Sequence, residues 1–146
     1  MFSSFKTKQL NMKVNLGSHK EVEVDVLEQL RIDTSDLQNE LLEQPARYAL
    51  WATIHDLNTL KLEKLSEELL SAQGSTRYHD VLEQYLTVQQ QQHLLTTIRN
   101  AFNHRKSTLL LLLNTPKNKE VLALYESHIR ALEDTVPISP ITREVI

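Results

Sequence analysis

Two long stripes of apolar residues dominate the central part of the chain. From Ala46 onward, apolar side chains recur at alternating steps of three and four, which predicts one face of a long helix. A second stripe of the same kind runs from about residue 78 to residue 114. Gly74, among serine and threonine, separates the stripes and suits a helix end followed by a new helix cap. The pattern predicts an all-α protein built on a long antiparallel helical hairpin of coiled-coil type.

The stripes also indicate which side chains pack in the seam between the two helices or between subunits of an oligomer. These residues are Tyr48, Trp51, Leu62, Leu65, Leu69, Leu95, Phe102, Leu109 and Leu113. Asn58 falls inside the first stripe, where it is either tolerated in a partly wet groove or buried so that it sets the register between helices. Four consecutive glutamines at positions 89–92 interrupt the second stripe, and such a tract is typical of an exposed helix face.

The segments before the hairpin carry weaker signals. Residues 12–16 and 22–26 alternate apolar and polar positions on either side of Gly17 and Ser18, which predicts a small β-hairpin or an extended arm. Short polar side chains from Asp33 to Asp36 predict a helix start, followed by a short helix over 37–42. Pro45 then either ends that helix or stands in the first turn of the next one.

The segments after the hairpin are also bounded by breakers. Thr115 and Pro116 predict the end of the second long helix, and residues 119–134 predict a shorter amphipathic helix. The apolar, proline-containing tail after it cannot be helical, and is either disordered or docked on a neighbour. We therefore predict an N-terminal arm over 1–26, a helical body over 27–134 and a proline-containing tail over 135–146.

Composition narrows the class of protein. The 146 residues include two glycines, four prolines and no cysteine, and aromatic residues make up 5%. The absence of cysteine excludes disulfides, cysteine-ligated zinc and thiol catalysis. The leucine run at 109–113 is far too short to cross a membrane, and residues 1–10 lack the apolar stretch of a signal peptide. We expect a soluble, cytoplasmic protein whose core rests on leucine.

Charge gives the strongest functional signal. Residues 84–119 contain no Asp or Glu, although the whole chain has a formal net charge of -3. A local basic surface predicts an anionic partner such as a phosphate backbone. The alternative is a merely solvated helix, with the stem of Arg105 packed on the seam. The candidate nucleic-acid-binding residues are Arg99, His104, Arg105, Lys106, Lys117 and Lys119.

Signals for catalysis are missing from the sequence. It has no glycine-rich phosphate loop and no nucleophile elbow. No two of its histidines are three or four residues apart, the spacing that a metal site on one helix requires. The histidines are His19, His55, His79, His93, His104 and His128. We expect no enzyme activity, no cofactor and no metal.

Three segments together carry a family resemblance. Residues 32–37 read Ile-Asp-Thr-Ser-Asp-Leu, and residues 45–51 read Pro-Ala-Arg-Tyr-Ala-Leu-Trp before a long polar helix. Residues 94–109 place a basic position between two apolar stretches of a later helix. In this order, over about residues 30–114, the chain resembles the phage recombination mediator UvsY and its relatives.

The resemblance implies a helical, oligomeric accessory protein that binds single-stranded DNA. It also implies that the protein helps to load a recombinase onto strands covered by single-strand-binding protein. The chain departs from the family after the tryptophan, where family members are rich in Lys and Arg but Lys61 and Lys64 here stand beside Glu63, Glu67 and Glu68. The alternative function is a phage or bacterial structural or adaptor protein that self-assembles through its helical hairpin.

Overall fold

A computed structural model describes residues 11–15, 21–115, 118–134 and 143–145 of the protein. The elements are β1 (Asn11–Asn15), β2 (Glu21–Asp25), α1 (Val26–Leu30), α2 (Leu37–Ser71), α3 (Tyr78–Asn114), α4 (Lys119–Asp134) and β3 (Arg143–Val145). Helices α2 and α3 pack along each other as a hairpin, while α1 and α4 pack against α3. The predicted long helical hairpin with an N-terminal β-hairpin and a shorter C-terminal helix is thus confirmed.

The turn of the hairpin lies where the sequence places it. Gly74 has a φ of 78°, in the left-handed region that glycine adopts without a steric cost. A Cβ at this position would meet no atom within 4 Å. Glycine is therefore favoured here for its backbone conformation and not because a side chain would clash. Helix α2 ends just before this turn, where the Ala72 N–H donates to the carbonyl of Glu68 at 2.8 Å.

Helix α2 begins at its predicted cap but does not stop at the proline. The carboxylate of Asp36 accepts a hydrogen bond from a backbone N–H of the first turn, and the helix then runs through Pro45. The predicted short helix over 37–42 is therefore wrong, because Pro45 neither ends a helix nor stands in the first turn of one. A proline inside a helix costs about 3 kcal/mol. Contacts to α3 offset that cost, because Glu40 and Gln44, on the turn before the proline, are both bonded to Arg105.

A small sheet covers one end of the helical body. Strands β1 and β2 pair antiparallel, with Met12 opposite Val24, and this confirms the predicted hairpin. Its turn at Gly17 and Ser18 lies outside the described residues. Strand β3 pairs parallel to β1, with Met12 opposite Arg143, so the strand order is β2-β1-β3. Residues 143–145 of the predicted tail therefore pair with the chain's own N-terminal arm, and the rest of the tail is not described.

Helix α1 replaces the end of the predicted second strand. The side chain of Asp25 accepts hydrogen bonds from the N–H groups of Leu27, at 3.2 Å, and Glu28, at 3.4 Å. This cap starts a helix at Val26, where strand alternation was expected to continue. The helix buries Val26, Leu27 and Leu30 against the hairpin.

The main core lies where the sheet, α1, the open end of the hairpin and α4 meet. Its buried residues are Met12, Val26, Leu27, Leu30, Trp51, Ile54, Leu95, Ile98, Phe102 and Leu132. The rings of Trp51 and Phe102 stack with centroids 6.1 Å apart and planes 11° apart. The Trp51 indole N–H also donates to the side-chain oxygen of Gln29 at 2.9 Å, so its one polar atom is satisfied.

Most of the predicted seam is buried. Trp51, Leu65, Leu95, Phe102 and Leu109 are buried, and Leu62, Leu69 and Leu113 are half-buried. Tyr48, at 37% exposure, is on the surface, so its assignment to the seam between the two helices was wrong, while a contact between subunits stays a prediction. Two turns before Trp51, the same helix face buries Gln44. The expectation of an exposed glutamine tract is wrong for Gln91, which is buried.

Candidate functional site

Arg105, a predicted phosphate-binding residue, lies inside the protein with 0% exposure. Its Nε donates to the carbonyl of Leu30 at 3.3 Å, and its NH2 donates to the carbonyl of Arg31 at 3.0 Å. These carbonyls end α1, where helical carbonyl groups lack partners within the helix. Arg105 therefore caps the C-terminus of a helix that is distant in sequence.

The same guanidinium also binds α2. Its NH1 donates to the side-chain oxygen of Gln44 at 2.7 Å, and its NH2 pairs with the carboxylate of Glu40. Gln44 in turn donates to the carbonyl of Phe102 on α3 at 2.6 Å. Burial lowers the pKa of Arg105, and the neighbouring carboxylate of Glu40 opposes that shift. The group remains a cation at neutral pH and joins α1, α2 and α3.

These contacts correct the functional assignment of Arg105. A phosphate contact needs N–H donors that face solvent, and all three guanidinium nitrogens here donate to groups of the chain itself. The prediction that Arg105 binds nucleic acid is therefore wrong for this fold. The alternative stated above, that the stem of Arg105 packs on the seam, did not foresee that the guanidinium itself is buried and bonded.

Two other predicted residues remain on the surface of α3. Arg99 is half-buried and Lys106 is exposed. They are seven residues apart and so lie on the same side of the helix. Exposed Asn103 and Leu110 lie between and beyond them on this side. We call these four residues the acid-free face.

Of the two remaining predicted lysines, the structure describes Lys119. Lys119 is exposed in the first turn of α4, after the loop that follows α3. Lys117 lies outside the described residues. The structure thus brings Arg99 and Lys106 together on α3 and leaves Lys119 on a separate element.

Arg99 also contacts the seam through His55. The Nδ1 of His55 lies 3.2 Å from the NH1 of Arg99 and 3.1 Å from a carboxylate oxygen of Asp56. An imidazole nitrogen either carries a proton and donates or lacks one and accepts. Nδ1 therefore accepts from Arg99 in one state and donates to Asp56 in the other. In the second state, the guanidinium of Arg99 has no acceptor on the Nδ1 of His55.

Polar side chains join α2 to α3 in the middle of the seam. Asn58, with 0% exposure, donates to the carbonyl of Val88 at 3.3 Å and to the side-chain oxygen of Gln92 at 2.8 Å. Gln92 donates to the hydroxyl of Thr59 at 2.6 Å. These bonds can form only when the two helices are aligned as observed. Of the two alternatives for Asn58, the structure supports the buried residue that sets the register.

We predict that Asn58 and Gln92 are energetically coupled. Asn58→Ala removes the donor to the side-chain oxygen of Gln92, and Gln92→Ala removes that acceptor from Asn58. Each change should destabilise the fold by about 1–3 kcal/mol. The double variant should lose less than the sum of the two, by about 0.5–3 kcal/mol. Urea denaturation followed by circular dichroism measures all three values. Strict additivity would show that the bond does not contribute to stability.

His104 faces α4 and not the acid-free face. Its ring stacks on Tyr125, with centroids 5.7 Å apart, and meets the ring of His128 edge-on, with centroids 4.6 Å apart. Burial lowers the pKa of His104, and repulsion from His128 adds to that shift. The imidazole is therefore neutral at pH 7. This position separates His104 from the cations with which it was grouped.

Tyr125 fastens α4 to the same carbonyl that Arg105 binds. It is buried, and its hydroxyl donates to the carbonyl of Leu30. Burial raises the pKa of Tyr125, so the hydroxyl keeps its proton and remains a donor. Leu30 thus accepts from both α3 and α4. The sequence does not predict this junction, because every residue has a main-chain carbonyl whatever its side chain is.

Comparisons with known proteins leave the family of the chain open. No protein-family model matches it, and no curated protein and no solved structure matches it either.

Within the parts of the chain that the structure describes, no three His, Cys, Asp or Glu side chains come together as metal ligands. None of the helices there is long and apolar enough for a membrane span. The class that the fold defines is a helical hairpin protein with a small terminal sheet.

Proposed function

We propose that the chain is a non-enzymatic, oligomeric accessory protein that binds single-stranded DNA along α3. In this proposal it acts in the cytoplasm, of the host if the chain is of phage origin, as a mediator that helps to load a recombinase. The acid-free face carries the proposal, because it presents Arg99 and Lys106 without an acidic residue on α3 between them. The preference for single strands and the recombinase as partner come from the resemblance to the UvsY family.

The number of cations on this face sets the expected strength of binding. With Arg105 buried, the acid-free face offers two phosphate contacts per chain, and two contacts give weak binding. Several chains on one strand would multiply their contacts through avidity. The proposal therefore requires an oligomer, in which the acid-free faces of neighbouring chains follow one strand.

The double variant Arg99→Gln and Lys106→Gln tests this face. Glutamine keeps helix propensity and much of the stem, so the change removes charge with little effect on folding. Single-strand affinity should fall strongly, and the dependence of log K on log salt should flatten by about 0.7 per lost contact. Fluorescence anisotropy of a labelled oligothymidine, over a range of NaCl concentrations, measures both quantities.

Lys61→Gln with Lys64→Gln is the matched control. It removes the same charge from exposed positions on α2, where acidic residues stand alongside. Affinity and salt slope should stay close to those of the unchanged protein. An equal loss in both double variants would mean that net charge, and not the acid-free face, controls binding. Unchanged binding in the α3 variant would refute the DNA proposal and favour the second function.

The second candidate function is that of a self-assembling structural or adaptor protein, and exposed leucines favour it. Leu42 and Leu60 are 79% and 55% exposed, and lie five turns apart on the side of α2 that faces away from the seam. On α3, Leu86 and Leu111 are 47% and 52% exposed. Both outer faces of the hairpin therefore carry apolar surface that a second copy of the chain would cover.

Light scattering tests the self-assembly. We expect a mass that is a multiple of the 16.9 kDa chain. Leu60→Gln combined with Leu111→Gln should shift the mass toward the monomer. Leu124→Gln, at an exposed leucine on α4, serves as the control and should not. A strictly monomeric mass at micromolar concentration would contradict self-assembly, and with it the oligomer that the DNA proposal requires.

A further inference from the structure

Two histidines from different helices meet in a cavity between α3 and α4. The cavity has a volume of about 470 Å³, and His104 of α3 and His128 of α4 both line it. The buried Nε2 of His104 has no hydrogen-bond partner in the described part of the chain. An imidazole nitrogen without a partner is unusual in a protein interior, where polar atoms are normally satisfied. Among the described residues, this nitrogen lacks a partner that a bound ligand would supply.

The surroundings of the pair favour a metal ion over an anion. Apart from the two histidines, no residue that lines the cavity carries a charge. The Nε2 of His104, which has no hydrogen-bond partner among the described residues, offers a lone pair in the neutral tautomer that carries its proton on Nδ1. Neutral imidazole is the preferred nitrogen ligand of zinc, copper and nickel. An anion would find no positive charge here.

The separation of the two rings fits a shared metal. In zinc sites the nitrogen lies about 2.0–2.1 Å from the metal, which places each ring centroid about 3.2 Å from it. Two such rings at angles between about 90° and 110° would have centroids about 4.5–5.2 Å apart. The observed separation for His104 and His128 is 4.6 Å.

We propose that His104 and His128 bind one divalent transition-metal ion between α3 and α4. Asn100 also lines the cavity and lies one turn before His104, so its side-chain oxygen is placed to be a third ligand. Water would fill the remaining position. Because the ligands come from two helices, the ion would hold α4 on the hairpin. This site is independent of the acid-free face and of the proposed DNA binding.

Isothermal titration of the full-length, tag-free chain with zinc sulfate tests the site. We expect saturable binding of one zinc per chain that EDTA reverses. His128→Gln and His104→Gln should each weaken the affinity about tenfold or more. His93→Gln is the matched control, since His93 is an exposed histidine of α3 that does not line the cavity, and it should leave the affinity unchanged.

Three results would overturn the proposal. They are no saturable binding, binding that survives both cavity variants, and binding that His93→Gln weakens equally. His128 is exposed, so its glutamine variant should fold even if the His104 variant does not, and circular dichroism verifies this. Light scattering with zinc present provides a further measurement. If zinc binds only where it also raises the mass of the particle, the ion is bridging histidines of different chains. That result would also contradict a site within one chain.

Discussion

Arg105→Ala should lower the free energy of unfolding by about 3–5 kcal/mol, the usual cost of breaking a buried ion pair by removing one partner. The loss is large because one guanidinium serves three helices. Its removal leaves the carboxylate of Glu40 buried without its cation, and Gln44 and the end of α1 lose donors. Natural domains are stable by only about 5–15 kcal/mol, so much of the fold's stability depends on this residue.

Lys106→Ala is the matched control for Arg105→Ala. Lys106 is the next residue along the same helix and carries the same charge, but its side chain is exposed. Its removal should change stability by no more than about 0.5 kcal/mol. Urea denaturation followed by circular dichroism compares the two. If Arg105→Ala unfolds like Lys106→Ala and instead weakens DNA binding, the original assignment of Arg105 to the phosphate-binding surface is restored.

Arg105→Lys distinguishes charge from geometry at the same position. Lysine keeps the positive charge but lacks the planar fork that reaches Leu30, Gln44 and Glu40 together. We therefore expect it to recover only part of the lost stability. This role of Arg105 also decides how DNA binding is tested. If Arg99, Arg105 and Lys106 were replaced together, a loss of DNA binding could come from unfolding or from lost phosphate contacts, and the experiment would not distinguish the two.

The helical framework could be predicted because each of its signals is local. Stripes with steps of three and four gave the hairpin, Gly74 gave its turn, and Thr115 marked the end of α3. The same periodicity placed Trp51 and Phe102 in the core, since a leucine-rich helix buries its regular apolar face.

The features that escaped prediction depend on contacts between distant residues. The sequence alone assigns Arg105 to the surface. In the fold, α1 contributes two carbonyls and α2 a carboxylate that bind its guanidinium. Helix α2 continues through Pro45 because those same contacts hold the preceding turn. Strand β3 is three residues long and has no pattern of its own. The spacing rule for histidines on one helix could not detect His104 with His128, because they lie on two helices.

Trp51→Ala should destabilise the fold by about 3–5 kcal/mol, as expected for removal of a large buried aromatic side chain. Trp51 is fully buried in the main core, where it stacks on Phe102, and the small terminal sheet and α1 pack around the same cluster. The cavity left by the indole would remain largely open, because α2 and α3 are fixed on either side by the seam and by Arg105. Circular dichroism is the readout, since the chain has one tryptophan and its fluorescence is lost.

Two further variants separate the parts of this effect. Trp51→Phe keeps a ring against Phe102 but removes the N–H that bonds to Gln29, and should cost about 1 kcal/mol for the lost bond, with a smaller packing loss added. Leu70→Ala shortens an exposed side chain of the same helix and should cost less than about 0.5 kcal/mol. The order Trp51→Ala, Trp51→Phe, Leu70→Ala, from largest loss to smallest, is the expected result. A Trp51→Ala loss as small as that of Leu70→Ala would mean that the sheet and α1 do not close over this core in solution.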